Sequence, residues 1–105
     1  MRIYISIPIN SRSELDTKVK LKLAKQQADE IRAMLKAQGY NTVSPFDINP
    51  IGCGLNYSAC MGRCVTELLR CDGIYLGSGW RKSKGCVDEY NIARNRGITI
   101  IGDEL

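Results

Sequence analysis

Residues 77–90, GSGWRKSKGCVDEY, bring together residue types that bind anions and types that act as nucleophiles. Three cations lie close together in this stretch: Arg81, Lys82 and Lys84. Ser83 stands among them and opens a helical pattern, and a hydroxyl beside the first amides of a helix can hold a phosphate. The same serine would serve equally well as a helix cap alone, so both interpretations stay open at this point.

Two adjacent carboxylates, Asp88 and Glu89, occupy different sides of the predicted helix. At ~100° per residue, the apolar positions point on average about 10° from the direction of Cys86. Glu89 lies roughly 70° from that direction, at the border of the apolar face, and Asp88 lies roughly 170° away, toward solvent. We therefore expect Glu89 to enter a half-buried site, where its neighbours set its pKa and its nucleophilicity.

Two further candidates lie in or before predicted strands. Tyr4 belongs to the first strand and Asp72 precedes the third. A tyrosine hydroxyl near a carboxylate can orient it or stabilise its charge, although most residues at such positions are structural. Gly79, like Gly77, allows a sharp turn and a close approach of the backbone to a ligand. These glycines complete neither a dinucleotide fingerprint nor a Walker A motif, because Lys82 stands where a third glycine would be.

The chain has no histidine and five cysteines. Chemistry at neutral pH must then rest on carboxylates, cysteine, lysine or tyrosine. A zinc or iron–sulfur site is one interpretation of the series Cys53, Cys60, Cys64 and Cys71. No Cys-x-x-Cys pair occurs and the spacings fit no common ligand pattern, so the cysteines are predicted to be small buried hydrophobes. We expect neither a metal nor a cofactor.

The composition is that of an ordinary globular domain, with 105 residues, 44% hydrophobic and 25% charged. This length predicts one domain over residues 1–105. The net charge of +4 is spread along the chain, and one Phe and one Trp offer little for stacking bases, which argues against a nucleic-acid polymer as partner. No apolar run reaches the ~20 residues of a membrane span and no signal core is present, so a cytoplasmic location is expected.

The elements that must position these residues alternate along the chain. Predicted strands cover 2–9, 40–45, 72–78 and 98–101, and predicted helices cover about 15–38, 57–70 and 83–97, with a loop over 45–56. Such alternation predicts an α/β fold, a small flavodoxin-like or Rossmann-like three-layer sandwich with a parallel sheet of four or five strands. Ligands of such folds bind beyond the carboxyl ends of the strands, where residues 8–13, 45–54 and 77–85 are expected to meet.

Three segments carry a resemblance to a known family: IYISIPI, ADEIRAMLKAQGYNTVSP and LLRCDGIYLGSGWRKSKGCVDEYNIARNRGITII. They resemble the nucleoside 2-deoxyribosyltransferase superfamily, which includes the 2′-deoxynucleoside 5′-monophosphate N-glycosidases, and are closest to its short branch. The most specific piece is Ser83-Lys84-Gly85 followed by Glu89, joined to Asp72 and Trp80. The first loop departs from the pattern, because Ile7-Pro8 stands where relatives often have Gly-Pro or Gly-Ser.

The resemblance implies that Glu89 attacks the anomeric carbon of a deoxyribosyl group, with Tyr4 and Asp72 near it. It also implies a substrate and phosphate site formed by Ser83, Gly85, Gly79, Trp80 and Lys84. The expected partner is a small-molecule nucleotide or nucleoside, and the expected assembly is a homodimer or a larger homo-oligomer. A catalytically inactive nucleotide-binding module is the alternative, and a cysteine-based metal protein is a weaker one.

Overall fold

The computed structural model describes residues 1–8, 17–48 and 57–102. Its strands are β1 (Arg2–Ser6), β2 (Asn41–Val43), β3 (Gly73–Leu76) and β4 (Thr99–Gly102). Its helices are α1 (Thr17–Ala37), α2 (Pro45–Ile48), α3 (Tyr57–Leu68) and α4 (Lys84–Asn95), and a short 3-10 turn covers Trp80–Lys82. The proposed helix start and loops within residues 9–16 and 49–56, and Cys53, lie outside the described residues.

The four described strands form one parallel sheet in the order β2-β1-β3-β4. Tyr4 of β1 lies opposite Val43 of β2 on one side and Ile74 of β3 on the other. The chain adds β2 to one side of β1 and then β3 and β4 to the other, so the direction of winding reverses at β1 and β3. Ligands of open α/β sheets bind at this kind of switch point, outside the carboxyl ends of the strands. The predicted α/β sandwich is confirmed, with four strands.

The side chains of β1 alternate between the two faces of the sheet, as the pleat of a strand requires. Ile3, Ile5 and Ile7 pack with α1 in one core cluster. Tyr4 belongs to the other cluster, which includes residues of α3 and α4. The sheet is therefore covered on both faces, which explains why β1 is apolar through most of its length.

Helix α1 is held by four side chains at helical spacing, Ala24, Ala28, Ile31 and Leu35, all buried. It is followed by Gly39, whose φ of 90° is readily adopted by glycine. Val19 and Leu23 continue the same helical spacing toward the start of α1, but they are 39% and 37% exposed. The first turns of α1 therefore lie more toward solvent than the periodicity predicted.

The predicted loop over 45–56 was wrong at its start, because Pro45–Ile48 forms α2. Pro45 occupies the first helical position, where its missing N–H costs nothing. The Asp47 carboxylate accepts a hydrogen bond from the backbone N–H of Ser44 at 2.9 Å, as in a capping box. Arg32 of α1 pairs with the same carboxylate, and these hydrogen bonds and this charge lower the pKa of Asp47 against the opposing effect of burial.

Strand and helix ends differ from the prediction by a few residues, with β1 ending at Ser6 and β3 covering only Gly73–Leu76. The 3-10 turn at Trp80–Lys82 was not predicted. None of the helices in the described ranges is long and apolar enough to cross a membrane.

Candidate functional site

Glu89 lies on α4 with 5% of its surface exposed, and its carboxylate reaches the central strand of the sheet. The Tyr4 hydroxyl donates a hydrogen bond to Oε2, and the Ser6 hydroxyl donates to Oε1 at 2.8 Å. Asp88, the adjacent acid, is exposed as expected. The helix geometry separated the two acids correctly but placed Glu89 only at the border of the buried face, whereas the carboxyl is almost fully enclosed.

The strand explains why two hydroxyls meet one carboxylate. Tyr4 and Ser6 are two residues apart on β1, so both point to the face that α4 covers. Both are 0% exposed. Cys86 and Ala93 of α4 are also buried, and they pack this helix onto the same face. The alternation of β1 and the apolar side of α4 thus fix the position of the carboxylate.

Burial is the main influence on the ionisation of Glu89 and raises its pKa. The hydrogen bonds from Tyr4 and Ser6 lower it, and the nearby charge of Asp88 raises it. The result is a pKa of about 7, compared with an ordinary value of 4.5. The carboxyl therefore exists in both protonation states at neutral pH, and its two hydroxyl donors stabilise the charged one.

Tyr4 is protonated over the whole neutral range. Burial, and then the charge of Glu89, raise the pKa of its hydroxyl well above the usual value. The nearby thiol of Cys64 on α3 raises this pKa as well. Because a carboxylate only accepts hydrogen bonds, the Tyr4 O–H is a donor to Glu89 whenever that group is charged.

Ser83 is the N-cap of α4 and is 8% exposed. Its hydroxyl accepts a hydrogen bond from the backbone N–H of Cys86 at 3.4 Å. The capping role left open by the sequence is therefore present. Burial raises the pKa of the Cys86 thiol to about 11, against a lowering effect of the Ser6 and Ser83 hydroxyls, and this keeps the thiol neutral.

These side chains form one buried polar group, which we call the hydroxyl–thiol chain. Its members come from α4, β1 and α3 and are Ser83, Cys86, Ser6, Glu89, Tyr4 and Cys64. Every member is at most 8% exposed. Buried polar groups need hydrogen-bond partners, and within this group the Glu89 carboxylate has two, the hydroxyls of Tyr4 and Ser6.

The other predicted ligand-binding residues lie around the start of α4. Gly79 has a φ of 86° and precedes the 3-10 turn, a conformation that favours glycine. Lys84 is exposed and Gly85 half-buried, both in the first turn of α4. No acidic residue occupies that first turn, so the positive end of the helix dipole is not offset there.

Trp80 does not have the exposed position of an aromatic side chain that contacts a ligand. It is 5% exposed and belongs to the core. Its ring lies 4.9 Å from that of Tyr90 at 35°, and the Arg81 guanidinium lies 4.9 Å from the indole centroid. The indole N–H is buried and has no hydrogen-bond partner among residues 1–8, 17–48 and 57–102. A role in substrate binding for Trp80 stays a prediction.

Asp72 is not brought to Glu89. It precedes β3 at the amino edge of the sheet, and its carboxylate accepts a hydrogen bond from the backbone N–H of Arg2 at 2.9 Å. Ser6 ends β1 at the opposite, carboxyl edge. The contact that Asp72 makes is therefore a link between the first residues of two neighbouring strands.

The sequence analysis missed three members of the chain: Ser6, Cys64 and Cys86. The strand period could have identified Ser6, because it lies two residues after Tyr4 on β1. Helix spacing could have identified Cys86, three residues before Glu89 on α4. Cys64 had no such signal, because only the docking of α3 brings its side chain to Tyr4.

The Gly77 and Ile7 positions serve packing on the other face. A Cβ at Gly77 would lie 2.7 Å from Nε2 of Gln27 and 2.9 Å from Cγ2 of Ile7. Ile7 is buried in the cluster that packs with α1, not in the one that contains Tyr4. Close approach of α1 is therefore what requires glycine at 77.

Within the described ranges, no group of three or more His, Cys, Asp or Glu side chains is arranged to hold a metal ion. The Cys71 thiol donates to the Glu67 carbonyl at 3.3 Å, and Cys64 is buried in the same cluster as Tyr4. A cavity of about 470 Å³ between α2 and α3 is lined by Arg2, Val43, Asp47, Ile48, Arg63, Thr66 and Glu67, and by no member of the hydroxyl–thiol chain.

Comparison with known proteins gives one family. A family described as a domain of unknown function, DUF4406, matches residues 1–102, which is nearly the whole chain and includes every member of the hydroxyl–thiol chain. No curated protein matches the sequence.

Proposed function

We propose that this chain, which belongs to the DUF4406 family, is a nucleoside 2-deoxyribosyltransferase-like enzyme. It would cleave, or transfer at, the N-glycosidic bond of a 2′-deoxynucleoside 5′-monophosphate. The observation that carries the proposal is the state of Glu89, a carboxyl that is 5% exposed and accepts hydrogen bonds from two buried hydroxyls. A carboxylate withdrawn from water and oriented by fixed donors has the properties of a nucleophile.

In the proposed reaction, an oxygen of Glu89 forms a bond to C1′ of the deoxyribose. The base leaves with the electron pair of the broken N-glycosidic bond. Water or a second base then attacks C1′ and releases the carboxylate, so configuration at C1′ is retained. Within the part of the chain that the structure describes, each carboxylate oxygen accepts one hydrogen bond and has a second lone pair, so Tyr4 and Ser6 can hold Glu89 without blocking the attack.

The start of α4 would receive the 5′-phosphate. Its first amides, the Ser83 hydroxyl and the exposed Lys84 supply hydrogen-bond donors and positive charge, and Gly85 leaves space beside them. The capping bond of Ser83 uses a lone pair of its oxygen and leaves the hydroxyl proton free to be donated to a phosphate. The implied substrate is a small-molecule nucleotide, not a nucleic-acid polymer.

A second candidate function is nucleotide binding without turnover. The observation in its favour is that both carboxylate oxygens of Glu89 already accept hydrogen bonds from the protein. A carboxyl held in this way could serve only to fix how the core packs, without reacting with a substrate. The two functions differ in whether free base is released, so one assay separates them.

The deciding experiment is a screen of 2′-deoxynucleoside 5′-monophosphates for release of free base, with the matched variants Glu89→Ala and Asp88→Ala. We expect Glu89→Ala to lower kcat/KM by on the order of 1,000-fold or more, because it removes the group that reacts. Asp88→Ala should stay within about 3-fold of the wild type, because that residue is exposed. Saturable binding without release of base from any substrate would favour the binding module.

The pH dependence gives an independent test of the same assignment. Only the ionised carboxylate can attack C1′, and the pKa of Glu89 is about 7. The value of kcat/KM should therefore rise with pH and level off above about 7. A profile that is flat between pH 5 and 9 would contradict a nucleophilic role for Glu89.

The proposal includes association of the chain into a homodimer or a larger homo-oligomer in the cytoplasm. Among the described strands β2 and β4 form the edges of the sheet, and Ile100 and Ile101 of β4 are only partly buried. A second copy could cover this edge. Light scattering after size-exclusion chromatography measures the mass directly, and a monomer at micromolar concentration would remove this part of the proposal.

A further inference from the structure

The cavity between α2 and α3 has no role in the proposed function. Its volume of about 470 Å³ is within the range of small-molecule sites. Two helices, α2 and α3, and two neighbouring strands, β1 and β2, all contribute side chains to its lining. The cavity is therefore formed where four elements pack together, and its charged and apolar residues can be compared with the needs of a ligand.

Two carboxylates line the cavity, and arginines pair with both of them. Glu67 of α3 pairs with Arg2 at 2.9 Å and with Arg70 at 3.1 Å. Asp47 of α2 pairs with Arg32 of α1. Each lining carboxylate therefore has its counter-charge within the protein, and neither depends on a bound cation for one.

Arg63 differs from Arg2, the other arginine of the lining, because no acid in the described part of the chain pairs with it. Its neighbour four residues on along α3 is Glu67, a spacing at which opposite charges often pair. Glu67 instead pairs with Arg2 and Arg70. The Arg63 guanidinium therefore lines the cavity with N–H donors that a bound anion can use.

We propose that this cavity binds a small organic monocarboxylate, with the carboxylate on Arg63 and the apolar part of the ligand against Val43 and Ile48. A guanidinium presents two parallel N–H groups that match the two oxygens of a carboxylate. Val43 is buried and Ile48 is half-buried, so this side of the lining is apolar. The inference goes beyond the proposed function, because no member of the hydroxyl–thiol chain lines the cavity.

The charges of the lining favour a ligand with a single negative charge. One carboxylate group is enough to pair with Arg63. A phosphate monoester carries a charge of about −1.5 to −2 at pH 7, and its additional charge would share the cavity with Asp47 and Glu67. A neutral ligand would make no charge-assisted hydrogen bond with the guanidinium. A monocarboxylate should therefore bind more tightly than a phosphate or an alcohol of the same shape.

The test is an NMR titration of protein labelled with ¹³C at valine and isoleucine methyl groups, with benzoate, benzyl alcohol and phenyl phosphate as probes. Benzoate should shift the methyl signals of Val43 and Ile48, assigned by their loss in Val43→Ile and Ile48→Val. Its Kd should be roughly 1 mM, as is usual for so small a ligand. The other two probes should bind at least about 5-fold more weakly, because one lacks the charge and the other has too much of it.

Arg63→Gln and Arg96→Gln form a matched pair for the same titration. Both arginines are exposed, but Arg96 is the C-cap of α4 and does not line the cavity. Arg63→Gln should weaken the binding of benzoate by about 10-fold, and Arg96→Gln should leave its Kd unchanged. Arg63→Lys keeps the charge without the paired N–H groups and should give an intermediate Kd.

Three results would overturn the proposal: no saturable shift with benzoate up to about 20 mM, equal Kd values in the two glutamine variants, or tighter binding of phenyl phosphate than of benzoate. The titration requires no turnover, so its result is separate from that of the cleavage assay. Arg63→Gln should release base, if the wild type does, at a rate within about 3-fold of it. A larger loss would show that the cavity belongs to the substrate site and would contradict a separate ligand.

Discussion

The two faces of β1 are built from neighbouring residues and do different work. The face toward α1 carries Ile3 and Ile5, followed by Ile7 just after the strand, and all three belong to one hydrophobic cluster. The face toward α3 and α4 carries Tyr4 and Ser6, whose hydroxyls both donate to Glu89. Within this strand of five residues, the alternation of side chains alone places the packing residues on one face of the sheet and the polar site on the other.

The comparison shows where a small domain can place a polar group inside its core. Burying a carboxyl is costly, and on the α1 face no hydroxyl of β1 could offset the cost. On the other face, Tyr4 and Ser6 supply two donors from a central strand, and α4 brings the carboxyl to them. The apolar face contributes stability and the polar face contributes chemistry, and substitutions on the two faces should have separable effects.

The largest effect on stability is expected from Ile5→Ala on the α1 face. The side chain is 0% exposed, and truncation leaves a cavity in a packed cluster, so the free energy of unfolding should fall by about 2–5 kcal/mol. Urea denaturation measures this change, and Ile5→Val should cost about 0.5–1.5 kcal/mol as a graded control. The pKa of Glu89 should not move in Ile5→Val; if it did, the two faces would not be independent.

On the polar face, the Glu89→Gln variant should be more stable than the wild type, by an amount that grows as the pH rises. The pKa of Glu89 is raised to about 7 in the folded chain from an ordinary 4.5, so the folded state holds the proton more tightly than the unfolded state. The resulting stability is fully present below pH 4.5 and is lost as the pH rises through about 7.

Glutamine at 89 removes that loss, which amounts to on the order of 3 kcal/mol at pH 8. Thermal melts of both proteins at pH 4.5 and pH 8 measure the difference. A Glu89→Gln protein with the same relative stability at both pH values would mean that burial does not raise the pKa of this carboxyl.

Tyr4→Phe tests whether a hydroxyl of β1 sustains the charge on Glu89. Loss of the donor should raise the pKa of Glu89 by about one unit, because hydrogen bonds to charged groups are stronger than neutral ones. Titration of the Glu89 side-chain carboxyl by ¹³C NMR, in protein labelled at glutamate, measures this pKa. Tyr75→Phe is the matched control, since Tyr75 is buried on the α1 face, and an equal shift there would contradict the division between the faces.

Gly77→Ala should destabilise the protein through the α1 face, by about 1–3 kcal/mol. Its methyl group would lie 2.9 Å from Cγ2 of Ile7 and 2.7 Å from Nε2 of Gln27, so α1 must shift or repack. Gly62→Ala on α3 is the contrast, because nothing lies within 4 Å of that position and alanine favours a helix by roughly 0.5–1 kcal/mol. Urea denaturation of the two variants should give changes of opposite sign.

Much of the architecture was predictable from local patterns. The alternation of strands and helices gave the four parallel strands, and the helix angle separated Glu89 from Asp88. The capping box at Ser44 and Asp47 is readable in the sequence, but Ser44 falls in the predicted strand and Asp47 in the predicted loop, so α2 was not predicted. Local signals of this kind depend only on residues within one turn of each other.

The sequence by itself determined that β1 has one apolar and one hydroxyl-bearing face, and that Ser83 begins a helix with Glu89 near its buried side. Only the tertiary structure decided that Tyr4 and Ser6 share that carboxyl and that Asp72 lies at the opposite edge. The reason is physical. Periodicity reports the direction of a side chain relative to its own element, whereas a hydrogen bond between residues 83 positions apart depends on how α4 docks onto the sheet.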